Sequence, residues 1–234
     1  MRAAFISRYG RTEKLALGNL PKPRILANDV MIEVHAASIN PIDFKIRDGK
    51  LRLLRRYRFP LVLGHDLSGV VIAVGANVKA FKPGDEVFSR PGNDRIGTLA
   101  EFIAGDQSEV ALKPRTLSHG QAASLPLVGL TSWQALIDVA HLKAEQKVFI
   151  QAGSGGIGTF AIQLAKYLGA VVATTTSGRN EQLVRDLGAD QVVNYQNEKF
   201  ENVLSAQDVV FDTLGGKDLY KAFLLMKPGG HVIS

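Results

Sequence analysis

Apolar positions in the first half of the chain come in short alternating runs bounded by turn residues. "DVMIEVHAAS" alternates, "LVLGHDLSGVVIAVG" is an apolar strand interrupted by glycines, and "FKPGDEVFS" sets a Pro-Gly-Asp turn ahead of another short strand. The opening "MRAAFISRYG" enters a strand in the same manner. This pattern predicts a compact, partly barrel-like, β-rich domain over residues 1–116.

From Leu117 onward the texture changes. "HGQAASLPLVGLTSWQALIDVA" reads as helical around its proline. Strand and helix patterns then alternate: strand 148–151, helix 158–168, strand 171–175, helix 181–187, strands 191–194 and 209–212, helix 217–226 and strand 231–234. Such alternation predicts a parallel, doubly wound sheet over residues 117–234, so the fold class is α/β with a separate β-rich domain. No internal repeat or low-complexity segment interrupts either half.

Composition narrows the chemistry. At 234 residues and 46% apolar content there is material for two packed cores. The absence of cysteine excludes disulfides, thiolate zinc sites and a cysteine nucleophile, and fits a reducing compartment. The N-terminus has no apolar signal core, and no uninterrupted apolar run approaches the roughly 18 residues of a membrane-spanning helix. A soluble, cytoplasmic protein is the resulting expectation.

The formal charge of +6 is concentrated in "KIRDGKLRLLRRYR", residues 45–58, where seven basic side chains face only Asp48. Such a run is either a solvated basic surface or a contact for an anionic partner: a substrate, a protein, or the headgroups of an anionic membrane surface. Nucleic acid is disfavoured, since a single aromatic in one basic stretch provides neither a stacking platform nor a groove-reading helix.

The segment "AGSGGIG" carries the most specific chemistry. Gly153, Gly155 and Gly158 satisfy G-x-G-x-x-G between an apolar strand and an amphipathic helix. In that setting the first glycine permits a tight turn, the second lets backbone approach a pyrophosphate, and the third lets helix and strand pack closely. Ser154, Gly156 and Ile157 complete the turn, whose helix N-terminus directs free N–H groups at the phosphates. The end of the next strand, "VVATTTSGRN", lacks the carboxylate that would bind ribose hydroxyls and repel a 2′-phosphate. Thr175, Ser177 and Arg179 stand there instead, offering hydroxyls and a fixed positive charge, which favours NADPH over NADH. Tyr195, after the third strand, could reach the same phosphate. The competing readings are that Ser177 and Arg179 merely open the next helix and that Tyr195 is core.

Beyond these local readings, "AASINPIDFKIRDG", "FPLVLGHDLSGVVIAVGANVKAFKPGDEVF", "GTLAEF", "ASLPLVGLTSWQAL" and "AGSGGIG" together resemble the zinc-free quinone oxidoreductase and enone reductase branch of the medium-chain dehydrogenase/reductase superfamily. The resemblance spans essentially the whole chain. It implies a GroES-like catalytic domain joined to a Rossmann domain, with NADPH and a quinone or enone bound between them. It also implies that Asn40 faces nicotinamide and substrate and that Thr131 touches the nicotinamide end. Zinc-dependent members of the superfamily hold the metal through a Cys in the segment that reads "SINPID" here, a His-Glu pair in the segment reading "GHDLSG", and a further Cys. Asn40 takes the first place and no cysteine exists, so no metal is expected, and His65 is read as a hydrogen-bonded structural residue.

Lys45 is a candidate of a different kind: an ammonium near the substrate oxygen would stabilise a developing enolate or hydroquinone anion, and its alternative is an exposed lysine opening the basic stretch. Members of the family continue past the strand at which this chain stops, complete the Rossmann sheet and form dimers, so a homodimer is expected of the full-length protein. The expected function is an NADPH-dependent, zinc-independent reductase of quinones or α,β-unsaturated carbonyls. The alternative is a cofactor-binding relative that has lost turnover and serves a partner or a membrane surface.

Overall fold

The computed structural model describes residues 1–234, with the side chains of all but Lys217 and Asp218. The chain divides into two compact units, Met1–Leu127 and Val128–Ser234.

The first unit contains β1 (Arg2–Ile6), β2 (Leu15–Asn19), β3 (Asp29–Ser38), α1 (Pro41–Arg47), β4 (Leu61–Val62), β5 (Asp66–Val74), β6 (Glu86–Ser89), β7 (Phe102–Asp106), β8 (Val110–Leu112) and α2 (His119–Ala123). These strands form two antiparallel sheets, ordered β2-β1-β4 and β7-β3-β5-β6-β8. The alternation read in the sequence of β3 and β5 supplies the core of the larger sheet, where Val30, Ile32, Leu67, Val71, Val87 and Ile103 are buried together. Helix α2 lies against β3, β5 and β6, which is why the texture changes at Leu117 before the first unit ends. At the start of β3 the guanidinium of Arg95 makes two hydrogen bonds to the buried carboxylate of Asp29, at 2.6 and 2.7 Å. Asp29 also accepts from the Leu26 backbone N–H at 2.7 Å.

Two helical features add detail to the sequence reading. Residues 41–47 form a helix, because Pro41 occupies its first turn and Asn40 stands at its N-cap. The segment around Pro126, read as helical, consists of two helices. Helix α2 ends at Ala123 and Pro126 opens α3 (Pro126–Trp133), a position where the missing N–H costs nothing. Helix α3 runs on into a π-helical turn over Gln134–Val139.

The second unit carries β9 (Lys147–Ile150), α4 (Gly156–Tyr167), β10 (Val171–Thr176), α5 (Glu181–Asp186), β11 (Gln191–Asn194), α6 (Phe200–Val203), β12 (Gln207–Phe211), α7 (Lys217–Ala222) and β13 (Met226–Ile233). All neighbouring pairs are parallel, in the order β11-β10-β9-β12-β13. Strand order reverses beside β9, and in such sheets ligands bind outside the carboxyl ends of the strands at that switch point. Apolar side chains are buried on both faces. Val148, Ile150 and Val172 meet α4 through Ala161, Ile162 and Ala165. Phe149, Ala173, Val193 and Val210 meet Phe200, Leu204, Ala222 and Leu225 on the other side. The helix expected over 217–226 ends at Ala222 and gives way to a 3₁₀ turn, and the last strand begins at Met226. Its early start was hidden by Pro228 and Gly229, which interrupt the strand pattern.

Candidate functional site

The glycine turn joins β9 to α4 and is tied to β10 by backbone. Gly153 N–H donates to Thr175 O at 2.9 Å, and Ala152 N–H donates to the Thr175 hydroxyl at 3.0 Å. Ala152 adopts φ +52°, in the left-handed region that non-glycine residues rarely occupy, and such strain persists where surrounding structure imposes it. The three fingerprint glycines play different roles. A Cβ on Gly158 would land on the Ala152 carbonyl and 2.7 Å from Gly153 Cα, and one on Gly153 would collide with Thr174. A Cβ on Gly155 meets only Ala152 O, at 3.2 Å. Gly153 and Gly158 are therefore required by the protein's own packing, while Gly155 keeps an open approach for something outside it. Gly155 and Gly156 are exposed, Ser154 and Ile157 half-buried, and the first turn of α4 has no side-chain cap. An uncapped helix start of this form is an anion site in dinucleotide-binding folds.

The hydroxyls of β10 point into the structure. Thr174 donates to Ile150 O at 2.6 Å, Thr175 receives the Ala152 N–H, and Thr176 donates to the Ser154 hydroxyl at 3.0 Å. Ser154 also accepts from the Asn180 amide at 3.2 Å, and that amide lies 3.5 Å from the Ser177 hydroxyl. Ser177 is nearly buried. Arg179 is exposed and makes no hydrogen bond or ion pair with any described residue. Tyr195 is exposed, and its backbone N–H donates to Thr176 O at 3.2 Å. Two further bonds, Gly178 N–H to Gln196 Oε1 at 3.2 Å and Asn194 Nδ2 to Glu181 Oε1 at 3.0 Å, tie the loop after β10 and the start of α5 to the end of β11 and the loop after it. The structure thus brings Ser154, Ser177, Arg179 and Tyr195 to adjoining loops beside the glycine turn.

Sequence reasoning passed over Asn180, Asn194 and Gln196, which hold these loops, and Gln151. The side-chain amide of Gln151 is buried with neither nitrogen nor oxygen partnered. It lines a cavity of about 310 Å³ together with Thr175, Tyr195, Lys199, Phe200 and Leu214. A polar side chain at the inward end of an otherwise apolar strand was the one signal available. Thr131, on α3 in the same unit, is half-buried, and its hydroxyl has no partner among the described residues.

In the first unit, Asn40 stands at the start of α1 and is almost fully buried. Its amide nitrogen donates to Asp66 Oδ2 at 2.8 Å and lies 3.2 Å from the Ser38 hydroxyl, while its backbone N–H donates to Asp43 Oδ2 at 2.7 Å. Asp66 also accepts from the Ser38 hydroxyl at 2.9 Å and the Leu127 backbone N–H at 2.9 Å. Burial pushes the Asp66 carboxyl above its ordinary value, against these hydrogen bonds, which pull the other way. Asp43 Oδ1 faces His65 Nδ1 at 2.6 Å. The buried Nε2 of His65 is left without a partner. Lys45 is exposed on α1 and forms no ion pair with a described residue.

The first unit thus holds a buried polar cluster around an anchored amide, and the second a parallel sheet with an open glycine turn beside Arg179, the arrangement of a dinucleotide-binding fold. Residues 26–124 match the family described as alcohol dehydrogenase GroES-like domain, and residues 156–234 match the family described as zinc-binding dehydrogenase. The chain belongs to the medium-chain dehydrogenase/reductase superfamily, in its quinone oxidoreductase branch. Among solved structures it is similar to the quinone oxidoreductase of Coxiella burnetii, with TM-score 0.91 and 38% identity over 100% of this chain and 75% of that one. It is 41% identical to the mitochondrial NAD(P)H oxidoreductase RTN4IP1 of Danio rerio, over 97% of this chain and 64% of that protein. It is 38% identical to the chloroplastic NADPH-dependent alkenal/one oxidoreductase of Arabidopsis thaliana, over 100% of this chain and 62% of that protein. The chain therefore spans less than two thirds of the length of these two relatives.

These names correct the expectation of a cytoplasmic protein: the locations they carry are mitochondrion and chloroplast. Lack of cysteine and of an apolar span suits any reducing interior and never separated cytoplasm from organelle.

The donor set does not fit the metal in the second family's description. There is no cysteine, the Asn40 amide nitrogen is committed to Asp66, and both Asp66 oxygens already accept hydrogen bonds. Among the described residues no group of three or more His, Cys, Asp or Glu is arranged to hold a metal ion.

Proposed function

We propose that this chain supplies the catalytic and cofactor-binding parts of an NADPH-dependent, zinc-independent reductase of quinones or α,β-unsaturated carbonyls. The observation that carries this reading is the uncapped start of α4 at Gly155, beside loops that present an unpaired Arg179 and an exposed Tyr195. The first accepts a pyrophosphate and the second a 2′-phosphate, and no carboxylate of the kind that selects NADH ends β10. The cofactor supplies a hydride from C4 of its nicotinamide to an electron-poor carbon of the substrate.

The chain's own residues bind, orient and polarise. Ser154, Gly155, Gly156 and Ile157 cradle the phosphates with backbone N–H groups, and Ser177, Arg179 and Tyr195 read the 2′-phosphate. By family resemblance, Asn40 and Thr131 serve the nicotinamide end. The Asp66 bond fixes the Asn40 amide, so its orientation is set before any ligand arrives. Lys45 offers a free ammonium to the oxygen on which charge develops, and solvent delivers the proton.

The test is cofactor discrimination. Arg179→Ala should weaken NADPH by about ten- to a hundredfold and leave NADH nearly unchanged, the loss of one charge-assisted contact. Equal losses for both cofactors would overturn the assignment. Cofactor oxidation by the full-length protein across quinones and enones then separates a reductase from a binding protein without turnover.

A further inference from the structure

The basic stretch is not a loose loop. After α1, Gly49 turns the chain at φ +73°, Lys50 N–H bonds Lys45 O at 2.9 Å, and Leu54 and Arg55 N–H both bond Leu51 O, at 3.0 and 2.9 Å. Leu51 and Tyr57 pack inward on Ile6, Ile46, Leu61 and Leu63, and Tyr57 N–H reaches the Tyr9 hydroxyl at 3.3 Å. The same anchored turn presents two adjacent leucines outward, Leu53 at 91% and Leu54 at 86% exposure. Arg47 is paired with Asp48, and Arg55 with Asp94. Lys50, Arg52, Arg56 and Arg58 are exposed and have no ion pair among the described residues.

We infer that this turn docks the protein on an anionic lipid surface, with Leu53 and Leu54 entering the boundary between headgroups and acyl chains and the flanking cations meeting the headgroups. A solvated basic face needs no leucines. A nucleic acid asks for stacking rings or groove-reading side chains, which an aliphatic pair is not. A small soluble anion gains nothing from leucines that protrude from a convex turn. An anionic bilayer rewards both features at once, and either alone gives only weak, reversible binding.

The test is co-sedimentation of the full-length protein with vesicles of phosphatidylcholine alone and of phosphatidylcholine mixed with phosphatidylglycerol. Binding is expected only to the mixed vesicles, weakening as salt is raised. The double variant Arg52→Glu, Arg56→Glu should lose at least about a hundredfold in partitioning. Leu53→Ser, Leu54→Ser leaves the charge unaltered and should lose about ten- to a hundredfold with NADPH affinity retained. Three outcomes overturn the proposal: no wild-type binding to the mixed vesicles, serine variants that bind as wild type does, or serine variants whose main effect is a change of oligomeric mass, which would assign the leucines to another copy of the chain.

Discussion

Asn40 Nδ2 and Asp66 Oδ2 lie 2.8 Å apart, joining the N-cap of α1 to the first residue of β5 across 26 positions of sequence. The carboxylate gathers three donors in a buried setting and holds the amide in one orientation. Burial sets its titration, and the hydrogen bonds offset part of that effect.

Because the folded-state pKa of Asp66 is raised, ionisation costs folding free energy. Its contribution is fully present below the ordinary carboxyl value of 3.8 and declines as pH rises through the elevated folded value. Denaturant unfolding of wild type against Asp66→Asn should show the wild type losing stability relative to the variant from acid to neutral pH. A constant difference would show that Asp66 titrates normally.

Asp29 behaves in the opposite sense. Hydrogen bonding from Arg95 holds its carboxyl below the ordinary range, so its contribution is present above 3.8 and is lost as pH falls through the lower folded value. Arg95→Ala should destabilise the first unit by about 2–3 kcal/mol, since it leaves a buried carboxylate with only the Leu26 N–H. NADPH binding by the second unit should change little, as checked by unfolding curves and cofactor titration on one preparation.

The two glycines at the start of α4 should separate in effect. Gly158→Ala forces a methyl against the Ala152 carbonyl and should cost about 2–4 kcal/mol of stability. Gly155→Ala meets only one atom, at 3.2 Å, and should fold within about 1 kcal/mol of wild type while losing cofactor affinity, because the methyl occupies the phosphate's approach. Thermal unfolding and NADPH titration of both variants decide; a destabilised Gly155→Ala with normal binding would be the contrary result.

Metal content should be silent. Elemental analysis is expected to find no stoichiometric zinc, and chelators should leave cofactor oxidation intact, since His65 and Asp66 fall short of a four-coordinate site. Turnover lost to a chelator and restored by zinc would reverse the reading.

The second unit was largely legible because its signals are local: a glycine turn between a strand and a helix, then alternating periods of 2 and 3.6. Where that locality failed, the elements were short or carried strand-breaking residues. Helix α6 has four residues, and β13 begins through Pro228 and Gly229. Helix α1 was missed although Asn40 and Pro41 are ordinary start signals, because it is short and its last turn runs into the basic stretch. The polar cluster of Asn40, Asp43, His65 and Asp66 was not legible as a cluster, since His65 and Asp43 are 22 residues apart and only the fold brings them to 2.6 Å. Of the three threonines that end β10, Thr175 reads as a cofactor contact from sequence. The sheet is covered on both faces, so these side chains found partners in the structure itself.

The inward commitment of those three threonines separates scaffold from reader. Hydroxyls within β10 fasten the strand to the turn, whereas the free charge and the exposed phenol lie on loops beyond the strand ends. On the proposed reading, cofactor preference rests on Arg179 and Tyr195, which can be exchanged without touching the hydroxyl bonds of β10, so a descendant of this chain could change its reductant while keeping the same sheet.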